Sequence, residues 1–148
     1  MSHPQLALDA QVCFLVYRLE HRIMELYRPL LEPLGLTYPQ YLAMLALWEH
    51  GPMSVGRLSE LLRLDSGTVS PLLKRMEKAG LVTRTRSPED ERSVRVELTR
   101  SGTELEEKAA SVPLKLVSCL GGGGEAEARA LAPALRAVLA RLEGQSCI

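Results

Sequence analysis

The sequence predicts a mainly α-helical chain with one small β-hairpin. Apolar residues recur at helical spacing over most of the 148 residues. The period changes to two over two stretches only, 81–86 and 93–98. Glycine and proline cut the helical stretches into pieces that follow one another closely.

Residues 8 to 34 read as the first helix, with Val12, Val16, Leu19, Ile23, Leu26 and Leu30 spaced by three and four. Pro29 and Pro33 interrupt its end, and Gly35 fits a C-terminal cap. Thr37-Tyr38-Pro39 starts a second helix, with proline in the first turn where its missing N–H costs nothing. It runs to His50 and stops at Gly51-Pro52. Ser54 caps a short helix carrying Val55, Leu58, Leu61 and Leu62. Asp65 caps the next, which places Val69, Leu72, Leu73 and Met76 on one face and closes at Gly80. Two strands follow, the second with Val94, Val96 and Leu98 on one side, joined by the polar stretch 87–92. Ser101 with Glu104 suggests a capping box opening a long helix to Leu120, bent at Pro113. Beyond the break at Gly121 to Gly124, a last helix from Glu125 to Glu143 carries Leu131, Leu135, Val138, Leu139 and Leu142, with Pro133 inside it.

Composition excludes several classes. The length suits one domain, and 46% hydrophobic residues exclude a mainly disordered chain. No stretch is long and apolar enough to span a membrane, and the N-terminus lacks the pattern of a signal peptide, so a cytoplasmic protein is expected. Three cysteines are too few for a disulfide framework, and no spacing of Cys, His and Asp suggests a metal or another cofactor. All six aromatic residues lie between Phe14 and Trp48, which leaves the rest of the chain no platform for stacking single-stranded bases. Eighteen basic residues against eighteen acidic ones argue at first against a nucleic-acid partner.

The order of elements answers that objection. Two short helices meeting at Leu64-Asp65, followed by a hairpin, are the parts of a winged helix-turn-helix, here spanning 37–100. The second helix begins with short polar residues suited to base edges or phosphates, Asp65, Ser66, Gly67, Thr68 and Ser70. Lys74, Arg75 and Lys78 lie away from its apolar face, and Arg84, Arg86, Arg92 and Arg95 belong to the wing. From Lys74 to Arg86 five bases face one acid, Glu77, a local balance of +4 in a neutral chain. The flanking helices, 8–34 and 101–143, carry apolar stripes too long for so small a unit to cover. A second copy of the chain is the expected cover, giving a dimer that reads two half-sites.

The sequence resembles the MarR family of winged-helix transcriptional regulators over nearly its whole length, read as a single domain over 1–148. Within that family it is similar to the organic-hydroperoxide-sensing OhrR branch, of the two-cysteine type. The segments that carry the resemblance are Leu8 to Phe14, Leu36 to Leu42, Leu64 to Thr68, Pro71 to Met76 and Asp90-Glu91-Arg92. The resemblance implies a homodimeric repressor on double-stranded, pseudo-palindromic operator DNA, with an organic hydroperoxide as inducer. It further implies that Cys13 is the peroxidatic thiol, that Tyr17, Tyr27 and Tyr38 support its thiolate, and that Cys119 resolves it as an intersubunit disulfide. Asp90 and Arg92 match wing residues, Arg92 in the minor groove, and Arg84 matches a backbone contact. Cys147 has no match and stays open as another resolving thiol.

The spacing adds a physical constraint. Cys13 and Tyr17 are four apart and share a helix face. Tyr27 is fourteen residues from Cys13, ~21 Å along a straight helix, so an unbroken helix would bring it to the thiol only from a partner chain. A helix N-terminus and tyrosine O–H groups would favour the thiolate, and apolar Val12, Phe14 and Leu15 would suit an organic peroxide. Two other functions fit parts of the sequence: a regulator of the same type responding to a non-covalent ligand, and a thiol peroxidase. The latter is disfavoured because no Cys-x-x-Cys and no His-paired Cys is present.

Overall fold

The computed structural model describes residues 3–86, 93–119 and 124–143. The chain divides into two compact units, Met1–Ala110 and Ser111–Ile148.

The first unit opens with two 3-10 turns, Pro4–Leu6 and Leu8–Ala10, and the long helix α1 follows over Val12–Leu31. The helix therefore starts four residues later than the expected boundary at residue 8, at the first residue of its apolar stripe. The Gln11 amide explains this, since it donates to the carbonyls of Gln5 (2.6 Å) and Ala7 (3.2 Å) and holds the preceding chain in turns. Pro29 is carried inside α1 without ending it. The chain turns instead at Gly35, whose φ of 66° is left-handed.

Helix α2 covers Tyr38–His50 and begins with a capping box in which the Thr37 side chain accepts from the third-residue N–H and Gln40 Oε1 accepts from the Thr37 N–H (2.8 Å). Strand β1 is Met53–Ser54, and α3 (Val55–Leu62) starts where Ser54 Oγ accepts from the Arg57 N–H at 3.1 Å. Helix α4 covers Ser66–Lys78. Strands β2 (Val82–Arg86) and β3 (Val94–Leu98) form the hairpin, and β1 joins it in the order β1-β3-β2, all antiparallel. The hairpin thus gains a third strand, with Met53 opposite Val96. Two residues are too few to display an alternation, and the Gly51-Pro52 stop signal masks the strand behind it.

The core of this unit lies where α2, α3, α4 and the sheet converge. Tyr41, Met44, Leu47, Leu58, Val69, Leu73, Met76, Val82 and Val96 are essentially inaccessible there. Helix α5 (Arg100–Ala109) docks on α2 and β3. Its cap is Thr99, not Ser101. Thr99 Oγ1 accepts from the Gly102 N–H (3.0 Å) and donates to the Gly80 carbonyl (2.6 Å), while the Thr99 N–H donates to Leu81 O (3.0 Å). Glu104 pairs with Arg100 (2.7 Å). One threonine thus caps α5 and ties it to the turn after α4. Trp48 Nε1 donates to the Gly102 carbonyl at 3.0 Å, joining α2 to the same place.

The second unit comprises α6 (Val112–Cys119) and α7 (Gly124–Leu142), which pack on each other. The single bent helix expected over 101–120 is two helices separated at Ala110 and Ser111. Pro113 stands in the first turn of α6, where a proline is well accommodated, rather than at a bend. Helix α7 passes through Pro133. Its Leu131, Leu135, Val138, Leu139 and Leu142 are exposed, as are Val12, Leu15, Val16 and Leu19 of α1. Among the described residues no helix is long and apolar enough to cross a membrane.

Candidate nucleic-acid interface and thiol site

The N-terminus of α4 is closed by its own side chains. Asp65 Oδ1 accepts from the Thr68 N–H (2.9 Å), and Thr68 Oγ1 donates to Asp65 Oδ2 (2.8 Å). A Cβ at Gly67 would stand 2.9 Å from Asp65 Oδ1, so glycine at this position lets the carboxylate close over the turn. Ser66, Gly67, Thr68 and Ser70 are exposed, while Val69 beneath them is buried. Both oxygens of Asp65 serve the cap, which fixes the turn that carries the exposed hydroxyls.

Hydrogen bonding from the Thr68 hydroxyl, and then from its backbone, holds the Asp65 carboxyl below its usual value of 3.8. Its folded-state pKa is depressed, so the cap contributes stability that is present above 3.8 and lost as pH falls through the folded value. Urea midpoints measured from neutral pH into the acid range should show Asp65→Asn less stable at neutrality, with the gap to wild type closing below that value. A constant gap would remove Asp65 from the cap.

Lys74, Arg75 and Lys78 are exposed along α4, and Arg86 is exposed at the end of β2. Arg84, expected as a DNA backbone contact, also bonds within the chain. Its Nε and Nη2 donate to Glu77 Oε2 at 3.0 and 2.8 Å, and its backbone N–H donates to Glu77 Oε1 at 3.1 Å. The Arg84 guanidinium is thereby turned onto α4. Lys74, Arg75, Lys78 and Arg84 surround Glu77 in a groove of about 440 Å³. Asp90 and Arg92 lie outside the described residues.

Cys13 is exposed at the second position of α1. Tyr17, one turn on, is exposed and leans on His21 with ring centroids 4.1 Å apart. Tyr27 and Tyr38 come together elsewhere, at the other end of α1, with centroids 4.7 Å apart. Tyr41 joins them at 5.9 Å from Tyr27. Sequence reasoning assigned no role to Tyr41, although its i, i+3 spacing from Tyr38 marks a shared helix face. Burial, and then the neighbouring Tyr38 and Tyr41, push the Tyr27 hydroxyl up to about 12. It therefore remains a proton donor at any physiological pH. Beside the rings lies a cleft of about 510 Å³, walled by Met24, Tyr27, Leu31, Leu36 and Tyr38.

Because α1 is unbroken from Val12 to Leu31, Cys13 and Tyr27 of one chain stand ~21 Å apart. The four predicted thiol-site residues thus fall into two groups, Cys13 with Tyr17 and Tyr27 with Tyr38. Cys119 is exposed at the end of α6, in the second unit, and Cys147 lies outside the described residues. Among the described residues no cluster of His, Cys, Asp and Glu could hold a metal ion.

The MarR family model matches residues 36–94. The chain is 50% identical over 118 residues to the organic hydroperoxide resistance transcriptional regulator of Bacillus subtilis (strain 168), covering 80% of each. Among solved structures it is similar to AbfR, known from Staphylococcus epidermidis. Reduced AbfR bound to DNA superposes with a TM-score of 0.76 at 33% identity, over 93% of this chain and 95% of that one. The disulfide-formed state of AbfR superposes at 0.67, also at 33% identity, over 95% of both.

Proposed function

The chain belongs to the MarR family of transcriptional regulators, and on that premise we propose that it is a homodimeric repressor that releases its operator when an organic hydroperoxide oxidises Cys13. The observation that carries this reading is the unbroken α1, with an exposed thiol at one end and half-buried tyrosines, whose hydroxyls hold their protons more tightly than usual, at the other. An antiparallel pair of such helices brings Cys13 of each chain to Tyr27 and Tyr38 of the partner subunit. The exposed apolar stripe of α1 is a surface available for that pairing.

The chemistry balances without a cofactor. The Cys13 thiolate attacks the outer oxygen of the hydroperoxide, the O–O bond breaks, and the alkoxide takes a proton and leaves as an alcohol. Sulfur loses two electrons and becomes the sulfenic acid. The thiol of Cys119 of the partner subunit then attacks that sulfur, forming a disulfide and releasing water. A bond across the dimer alters the spacing of the two α4 helices, and with it the match to two half-sites. The similar AbfR is known both reduced on DNA and in a disulfide-formed state, which supports a redox-linked reading.

A gel-shift with the promoter region beside the gene tests this. Wild-type protein should bind, release on adding an organic hydroperoxide, and run as a covalent dimer on non-reducing gels. Cys119→Ser should lose the covalent dimer. Wild type that stays bound through full thiol oxidation overturns the sensing reading, and a covalent dimer in Cys119→Ser overturns the resolving role. The apolar cleft beside Tyr27 favours one second reading, a non-covalent inducer bound there. Under it, Cys13→Ser would leave induction intact.

A further inference from the structure

We propose that Glu77 is a positioning residue for DNA reading, fixing strand β2 against the end of α4. This rests on the DNA-binding reading above. On charge alone Glu77 opposes phosphate, being the carboxylate among Lys74, Arg75, Lys78 and Arg84. Its geometry gives it a different task. It sits one residue before the end of α4 and takes three hydrogen bonds from Arg84, at 3.1, 3.0 and 2.8 Å, so both its oxygens are engaged.

The backbone bond is the informative one. In the order β1-β3-β2, strand β2 is an edge, and among the described residues its ladder partner is β3 alone. Arg84 stands opposite Val96, yet its N–H donates to Glu77. That N–H therefore faces away from β3, and Glu77 occupies the place a fourth strand would take. The guanidinium then closes over the same carboxylate, Nε and Nη2 both gripping Oε2, a two-donor fork that sets direction as well as distance. The Arg84 side chain, by bonding the Glu77 carboxyl, also holds it below its usual range, so it is ionised at neutral pH. One side chain thereby fixes the helix that presents Ser66, Thr68 and Ser70 relative to the hairpin arm that ends in Arg86.

The sign of the effect separates positioning from charge. Removing an acid from a basic groove should strengthen binding to any DNA. Loss of a positioning residue should weaken binding to the right DNA only. The test compares the promoter fragment with a scrambled duplex of equal length, over a range of salt, for wild type, E77Q, R84Q, R84K and the E77Q/R84Q double variant.

E77Q should lose about tenfold in the ratio of promoter to scrambled affinity, the size of one charge-assisted contact. Its affinity for scrambled DNA should hold or rise. R84K keeps the charge but not the fork, and should lose the ratio equally. The double variant should be no worse than either single one, because both remove one device. If R84Q instead weakens both DNAs alike and lowers the salt slope by about one, while R84K resembles wild type, Arg84 is a phosphate contact and the inference is overturned. A ratio unchanged in E77Q also overturns it. Should E77Q fail to fold by circular dichroism, R84K carries the same comparison. Wild type that does not prefer the promoter fragment refutes the DNA-reading premise instead.

Discussion

Cys13→Ser is expected to stay on its DNA at hydroperoxide concentrations that release the wild type completely. Serine keeps the size and the place in the first turn of α1 but supplies no thiolate to open the O–O bond. Its affinity for the promoter fragment without peroxide should match wild type, because Cys13 is exposed and lies outside the DNA-reading unit. Full release of Cys13→Ser by the same peroxide would place sensing elsewhere.

The unbroken α1 adds a sharper comparison. Tyr27→Phe should slow Cys13 oxidation about tenfold, the loss of one hydrogen bond to a charged group. A purified heterodimer of one Cys13→Ser chain and one Tyr27→Phe chain should then oxidise its remaining thiol at the wild-type rate. Its Cys13 belongs to the Tyr27→Phe chain and faces the intact tyrosine of the partner subunit. If the heterodimer is as slow as the Tyr27→Phe homodimer, thiol and tyrosine act within one chain, which an unbroken α1 does not allow.

Gly102→Ala is expected to cost about 4 kcal/mol, a large part of what a domain of this size has. An added Cβ would stand 2.1 Å from the Leu81 carbonyl oxygen and 3.2 Å from Leu98 Cδ2. That carbonyl cannot swing away. It accepts from the Thr99 N–H, and the Leu81 N–H donates to Met76 O, both at 3.0 Å. Helix α5 would have to back off, taking with it the Trp48 bond and leaving a part-buried indole N–H without its acceptor. Urea unfolding measures the cost directly. A loss under ~1 kcal/mol would mean that α5 is loosely seated.

Much of the fold was legible because it rests on local signals. The caps at Ser54 and Asp65 and the stop at Gly35 precede or follow apolar stripes of clear period, and α2 and α4 end beside Gly51 and Gly80, whereas α3 ends at Arg63 in a left-handed conformation that no sequence signal announced. What stayed hidden depends on residues far apart in sequence. Strand β1 exists because β3 arrives beside it. Ser101 offered the pattern of a capping box, but Thr99 also reaches Gly80 and Leu81, and that tertiary anchor decides between them. Gly102 looks like an ordinary weak helix residue until Leu81 is placed against it.

The candidate site divides in the same way. The residue types and the helix on which each stands were readable, and the fourteen-residue separation of Cys13 and Tyr27 could be drawn out as a distance once the helix was taken as straight. The pairing of Arg84 with Glu77 was not readable. Glu77 counted only as a charge and Arg84 as a charge and a DNA backbone contact, and seven residues through a glycine turn carry no periodic signal that they meet.

The indole of Trp48 has an optical consequence. It is the sole tryptophan of the chain, and its N–H is bonded to the carbonyl of Gly102, where α2 meets α5. The protein's intrinsic fluorescence is therefore a single-site signal from that joint, free of overlap from any second indole. Its emission moves to the red if water replaces the carbonyl and stays fixed if the joint holds. A titration with promoter DNA, or a time course after adding hydroperoxide, reads the state of that one seam without a label.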